Sequence, residues 1–190
     1  MCPRAYDGGM TSASPQPFHV SAEVADALAT NTPVVALEST IISHGLPRPR
    51  NHEAAIEFEQ ILRDQGVVPA TIAVLDGVPH IGLDAEGVRR IAEEELAKAS
   101  VRDLPIIAAA GLSAATTVAA TSHLAALAGV RIFATGGLGG VHRGASSTFD
   151  ESADLSTLAV TPITVTLLRP ILARRDGRPV RAAILRIRCS

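Results

Sequence analysis

The chain has 190 residues, a net charge of −2, 47% hydrophobic residues and 3% aromatic residues. That length suits one domain, or one domain with a tail, and a core packed mainly by aliphatic side chains, Ala and Gly. No apolar run approaches the ~20 residues of a membrane span, and Met1–Met10 holds no apolar signal segment. Cys2 and Cys189, at opposite ends, suggest neither a disulfide framework nor a zinc site. These features lead us to expect a soluble cytoplasmic protein.

Charge is uneven. Residues 169–190 hold seven arginines against Asp176, a local +6 that leaves −8 on the rest of a chain totalling −2. A basic tail can bind nucleic acid, but the acidic body and the scarcity of aromatics argue against that partner. There is one lysine, Lys98, against sixteen arginines.

Taken in order, residues 1–17 are rich in Pro, Ser and Gly and are expected to be disordered; Met10 is an alternative start. Ser21 is expected to cap a short amphipathic helix reaching Ala29. Pro33–Leu37 reads as a buried strand that delivers Glu38, Ser39, Thr40 and then His44 to its carboxyl end. Ligands bind outside the carboxyl ends of strands in open α/β sheets, so Glu38 stands where an acid–base residue would. Asn51 is expected to cap a helix with Ala54, Ala55, Ile56, Phe58, Ile61 and Leu62 on its inner face, ended by Gly66. Ala70–Leu75 reads as a strand, with the Asp76-Gly77 turn leading to a return strand over Pro79–Gly82. A helix follows from Asp84, with Val88, Ile91, Ala92 and Leu96 inward.

Ile106–Ala110 reads as a third buried strand. Ala114–Ala128 reads as a long helix rich in Ala and Thr, whose N-terminal polar groups could hold an anion. Val130–Ala134 is a strand that enters Gly136-Gly-Leu-Gly-Gly140, followed by His142, Arg143, Asp150 and Asp154. Clustered glycines let the backbone turn tightly and let a ligand approach its amides. The spacing matches neither a dinucleotide-binding fingerprint nor a Walker loop. Alternating strands and helices give an α/β fold: three layers, with a mainly parallel central sheet flanked by helices.

Five blocks in order carry a resemblance: Val34–Pro47, Val68–Ala73, Lys98 with Arg102–Pro105, Ala115–Ala119, and Phe133–Gly144 with Thr148–Leu155. Over roughly residues 20–166 the chain resembles the pseudouridine-5′-phosphate glycosidase, or indigoidine synthase A, family. The resemblance implies reversible cleavage of the C–C glycosidic bond of pseudouridine 5′-phosphate to uracil and ribose 5-phosphate, through a lysine Schiff base. It implies Glu38 as the proton donor and Asp150 as the carboxylate for a divalent metal, typically Mn2+. It places substrate binding at Lys98, Val118, Ser152, Ala153 and Asp154, with His142 and Arg143 resembling site-wall residues. It also implies a homotrimer; the lack of a long apolar run and the acidic, aromatic-poor body lead us to expect no membrane or nucleic-acid partner.

The resemblance stops after Thr161–Val165, the expected lead-in strand. The nucleophilic lysine of the family would fall near Ile171, and no lysine follows Lys98. The expected organisation is a disordered segment over 1–17, an N-terminal part of the family domain over 18–166, and an Arg-rich tail over 167–190. On this reading the chain is C-terminally truncated, its tail resembles translation in a shifted frame, and the fold is incomplete at the C-terminus. The alternative is an inactive fragment, or a non-catalytic relative that keeps the sugar-phosphate and metal pocket.

Overall fold

A computed structural model of the chain describes residues 17–141 and 144–167, and the backbone of 183–185. Residues 168–182 and 186–190 of the expected tail, with the position of Ile171, lie outside the described residues, as do His142, Arg143, Cys2 and Cys189. In chain order the elements are β1 (His19–Val20), α1 (Ala22–Ala29), β2 (Val34–Glu38), α2 (Arg50–Arg63), β3 (Val68–Leu75), β4 (Val78–Ile81), α3 (Ala85–Glu93) and β5 (Ala97–Ala99). There follow α4 (Leu104–Ala110), β6 (Ala114–Thr116), α5 (Val118–Leu127), β7 (Ile132–Thr135), α6 (Ala145–Thr148), α7 (Ala153–Val160), β8 (Thr164–Leu167) and β9 (Ala183–Leu185). A π-helical turn, Ile41–Gly45, separates β2 from α2.

The sheet runs β1-β4-β3-β2-β7-β8-β9, with β6 and β5 joined beyond it through β3. Its centre, β3-β2-β7-β8, is parallel; β4 and β6 run antiparallel to β3. Helices cover both faces, because β3 is buried along nearly its whole length and strands alternate faces with period two. Ala70 and Ile72 join Val24, Val118, Leu124, Phe133 and Leu158 on the α1–α5–α7 side. Ala73 and Leu75 join Ile42, Ala55, Val88 and Ile91 on the α2–α3 side. This is the expected three-layer α/β architecture.

Four expectations are corrected. Ile106–Ala110 is the body of α4, not a buried strand, and Ile106 is 69% exposed. Periodicity cannot separate a short buried strand from a helix; Pro105 in the first turn and Gly111 at φ 63° as the left-handed cap decide for helix. Ala114–Thr116 is a strand, with α5 starting only at Val118 after Thr117. Pairing with β3 and β5 overrides the helix preference of alanine there. Asn51 lies inside α2 rather than capping it, fully buried, with its amide donating to Ile42 O (3.0 Å) and Ala92 O (2.8 Å). Ile56 is exposed, not inward, because α2 meets the core mainly through Ala54 and Ala55; Ile61 is also exposed but faces the cavity that Glu38 lines.

β1 and β4 place His19 directly beside His80, with ring centroids 4.9 Å apart. Burial, then the neighbouring His19, lowers the pKa of His80 from its ordinary value of 6.5; Arg90 adds to this, while Asp84 and Asp76 oppose it. A histidine depressed in the fold takes up its proton more readily in the unfolded chain, so stability falls as pH drops below about 6.5. We expect His80→Asn to flatten the fall in urea midpoint between pH 7.5 and 5; an unchanged slope would refute the assignment.

Candidate active site

Glu38 is the last residue of β2, and its side chain is 7% exposed. Thr40 Oγ1 donates to Glu38 Oε2 at 2.6 Å, and Thr135 Oγ1, at the end of the neighbouring β7, donates to Oε1. Both carboxylate oxygens are thus fixed by hydroxyls from two segments. β2 ends where β6 begins along β3, and a buried hydroxyl cluster closes the junction. Ser39 Oγ donates to Ile72 O (2.7 Å) and accepts from Thr116 N (2.8 Å), and Thr116 Oγ1 donates to Ile72 O (2.6 Å). The π-helical turn after Glu38 is pinned to the end of α3 by Ser43 Oγ donating to Ile91 O (2.6 Å) and by Asn51.

Glu38 lines a cavity of about 530 Å³ walled by Ile41, Phe58, Leu62, Thr71, Thr135 and Gly136 among others. A Cβ at Gly136 would lie 2.9 Å from Ile41 Cδ1, the flexible end of a side chain that can shift to make room. Glu59 of α2 bonds Thr71 Oγ1 at 2.5 Å, and its burial pushes the carboxyl above the usual range.

A second, more polar cavity of about 400 Å³ lies at the N-termini of α5 and α7, lined by Ser100, Arg102, Thr117, Ser152, Ala153 and Asp154 with others. Asp154 is 9% exposed; its Oδ1 accepts from Ala119 N (3.0 Å) and its Oδ2 from Gly139 N (2.8 Å). A carboxylate suits the positive end of a helix, so here Asp154 itself occupies part of the α5 terminus. It also ties the glycine loop to that helix. Gly139 is close-packed: a Cβ would sit 2.5 Å from Ser152 Cβ and 2.7 Å from Asp154 Oδ2. Thr117 Oγ1 is buried and has no hydrogen-bond partner among the described residues.

The glycine loop joins the two cavities, with Gly136 on the Glu38 side and Gly139 on the Asp154 side. Of the expected site residues, Val118, Ser152, Ala153 and Asp154 gather around the α5 terminus. Glu38 stands alone in the apolar cavity, and Lys98 is an exposed residue of β5 that lines neither. Asp150 is exposed, with its backbone N–H donating to Thr148 Oγ1 (3.3 Å). No cluster of three or more His, Cys, Asp or Glu side chains is present among the described residues. Asp150 lines neither cavity; a single exposed carboxylate suits only a hard divalent cation that keeps several waters. Sequence reasoning missed Thr40, Thr135, Arg102 and Thr117 as site residues. The signal for two of them was a threonine flanking the glutamate and another opening the glycine run.

A mostly apolar cavity around Glu38 and a polar one around Asp154 flank the glycine loop of an α/β protein with a mixed, mostly parallel sheet; clefts of this kind are where such folds bind small ligands. The chain belongs to the family described as indigoidine synthase A like protein, whose model matches residues 23–168. It is 65% identical over 147 residues to a pseudouridine-5′-phosphate glycosidase of Frankia alni, covering 77% of this chain and 41% of that protein. It is 56% identical over 154 residues to the pseudouridine-5′-phosphate glycosidase of Escherichia coli strain K12, covering 80% and 49%. The fold matches a prealnumycin C-glycosynthase, AlnA, in complex with ribulose 5-phosphate, with a TM-score of 0.74 at 40% identity over 81% of this chain and 50% of that one. An indigoidine synthase A-like protein of Thermotoga maritima matches with a TM-score of 0.66 at 34% identity, over 75% and 46%. The chain spans about half the length of the curated relatives it matches. Among the described residues no helix is long and apolar enough to cross a membrane.

Proposed function

We propose that this chain carries the glutamate and sugar-phosphate parts of a pseudouridine-5′-phosphate glycosidase site, and that by itself it binds ribose 5-phosphate without turning over pseudouridine 5′-phosphate. The observation that carries this reading is the glycine loop. One end sits beside the Glu38–Thr135 pair, and the other is bonded to Asp154 at the polar cavity. A sugar phosphate would set its anionic group against Arg102, the Thr117 hydroxyl, Ser152 and the α5 N-terminus. Lys98, on β5, would add a positive charge nearby. Glu38 would then move the proton that opens the ribose ring, its two oxygens held by Thr40 and Thr135. Asp150 would hold a divalent cation such as Mn2+, which supplies charge neutralisation at the phosphate when bound.

The C–C bond calls for an amine that attacks C1′ and forms a Schiff base. The sequence holds no lysine after Lys98, and an arginine cannot replace it, because the guanidinium stays protonated. A homotrimeric assembly, which the family resemblance implies, and a cytoplasmic location, suggested by the two isolated cysteines, complete the proposal.

Two assays test it. Ribose 5-phosphate with Mn2+ should raise the melting temperature of the chain, and no shift at millimolar sugar phosphate would refute the binding site. Pseudouridine 5′-phosphate with Mn2+ should release no uracil, and sustained release would overturn the assignment of a missing nucleophile.

A further inference from the structure

Thr135 Oγ1 has more partners than it has protons. It lies in hydrogen-bonding contact with Glu38 Oε1 and at 2.9 Å from Gly137 O, while accepting from Gly137 N at 3.3 Å. A hydroxyl donates one hydrogen bond and accepts two. With Glu38 ionised, the Thr135 proton points to Oε1, because a carboxylate is the stronger acceptor, and Gly137 O goes without it. With a proton on Oε1, Glu38 becomes the donor to Thr135 Oγ1, and the Thr135 proton turns to Gly137 O. Protonation at Oε1 thus gains the Gly137 bond. Protonation at Oε2 would instead make Thr40 an acceptor and gain no such bond.

We propose that Thr135 is a positioning residue that couples the protonation state of Glu38 to the glycine loop: the loop tightens at Gly137 when Glu38 holds a proton and loosens when the proton leaves. The proton on Glu38 is the one that the reaction would move, so the catalytic meaning of the relay rests on the function proposed above, whereas the rearrangement itself does not. Glu38 is the one titratable side chain among the residues lining its cavity. Glu59 of α2 meets another wall through Thr71, and Asp154 bonds the loop two residues further on, at Gly139.

The test is a pH titration of the 190-residue chain by NMR, following the Glu38 carboxyl carbon and the Gly137 amide together. In the unmodified protein the two should move with one midpoint. Thr135→Val should abolish the Gly137 step, and Thr135→Ser should restore it. A Gly137 amide that stays still while Glu38 titrates, or that follows Glu38 equally in Thr135→Val, overturns the proposal. Should Thr135→Val fail to fold, Glu38→Gln decides. A Gln at 38 gains and loses no proton, so Gly137 should show no step, and a surviving step at the Glu38 midpoint overturns the relay. Loss of ribose 5-phosphate binding with the coupling intact would sink the glycosidase reading alone; binding without coupling would sink the relay alone.

Discussion

Asp154→Ala is expected to lower stability by about 2–5 kcal/mol, the cost of leaving two backbone donors, one buried and one part-buried, without their acceptor. One of those donors, Ala119 N, is buried in the first turn of α5, and the other, Gly139 N, belongs to the glycine loop. Against a total stability of 5–15 kcal/mol for an ordinary domain, a loss of that size shows directly in the urea midpoint. The loop would remain attached through Ser152 N donating to Gly140 O (3.0 Å), so the variant should still fold. Its melting temperature should then respond less to ribose 5-phosphate, because the polar cavity and the Glu38 cavity are no longer held in register. A stability change under 1 kcal/mol would mean that water replaces the carboxylate and that Asp154 is not the strut described here.

Phe133→Ala should cost about 3–5 kcal/mol, the usual range for deleting a buried aromatic ring. Phe133 is 0% exposed at the centre of β7. Its strand partners are Ala36 on β2 and Val165 on β8, and neither is large enough to fill the space left. Ile106→Ala is the matched control. Were Ile106 in a buried strand it would cost several kcal/mol, but on the outer face of α4 it should change stability by about 0.5 kcal/mol or less. Equal losses for the two variants would contradict the helix seen at 104–110.

Which parts were legible in advance follows from where the information sits. Local patterns carried the strand read at 70–75, which the structure extends to 68–75 with seven buried residues in a row, and the helix after Asp84, whose side chain accepts from Gly87 N at 2.8 Å. They also carried Glu38, an acid directly after an apolar run, and the glycine loop after β7. They could not carry Ile106–Ala110 or Ala114–Thr116, because runs of Ala and Ile suit either conformation, and the choice is made by Gly111 at one end and by the edge of β3 at the other. Asn51 read as a cap because Asn favours that position. Instead, two carbonyls from the π-helical turn and the end of α3 needed a buried donor.

The sequence by itself determined the class of the protein: an α/β domain, a family marked by five ordered blocks, and a chain whose one amine side chain is Lys98. Tertiary structure alone decided that Asp154 spends both oxygens on backbone amides and that Thr135 reaches Glu38 across 97 residues of chain. It also decided that the two cavities share one glycine loop. Composition and periodicity report what a residue prefers over a few neighbours, whereas a hydrogen-bond partner is set by which strands lie side by side. That order, with β7 against β2, exists only once the sheet has closed.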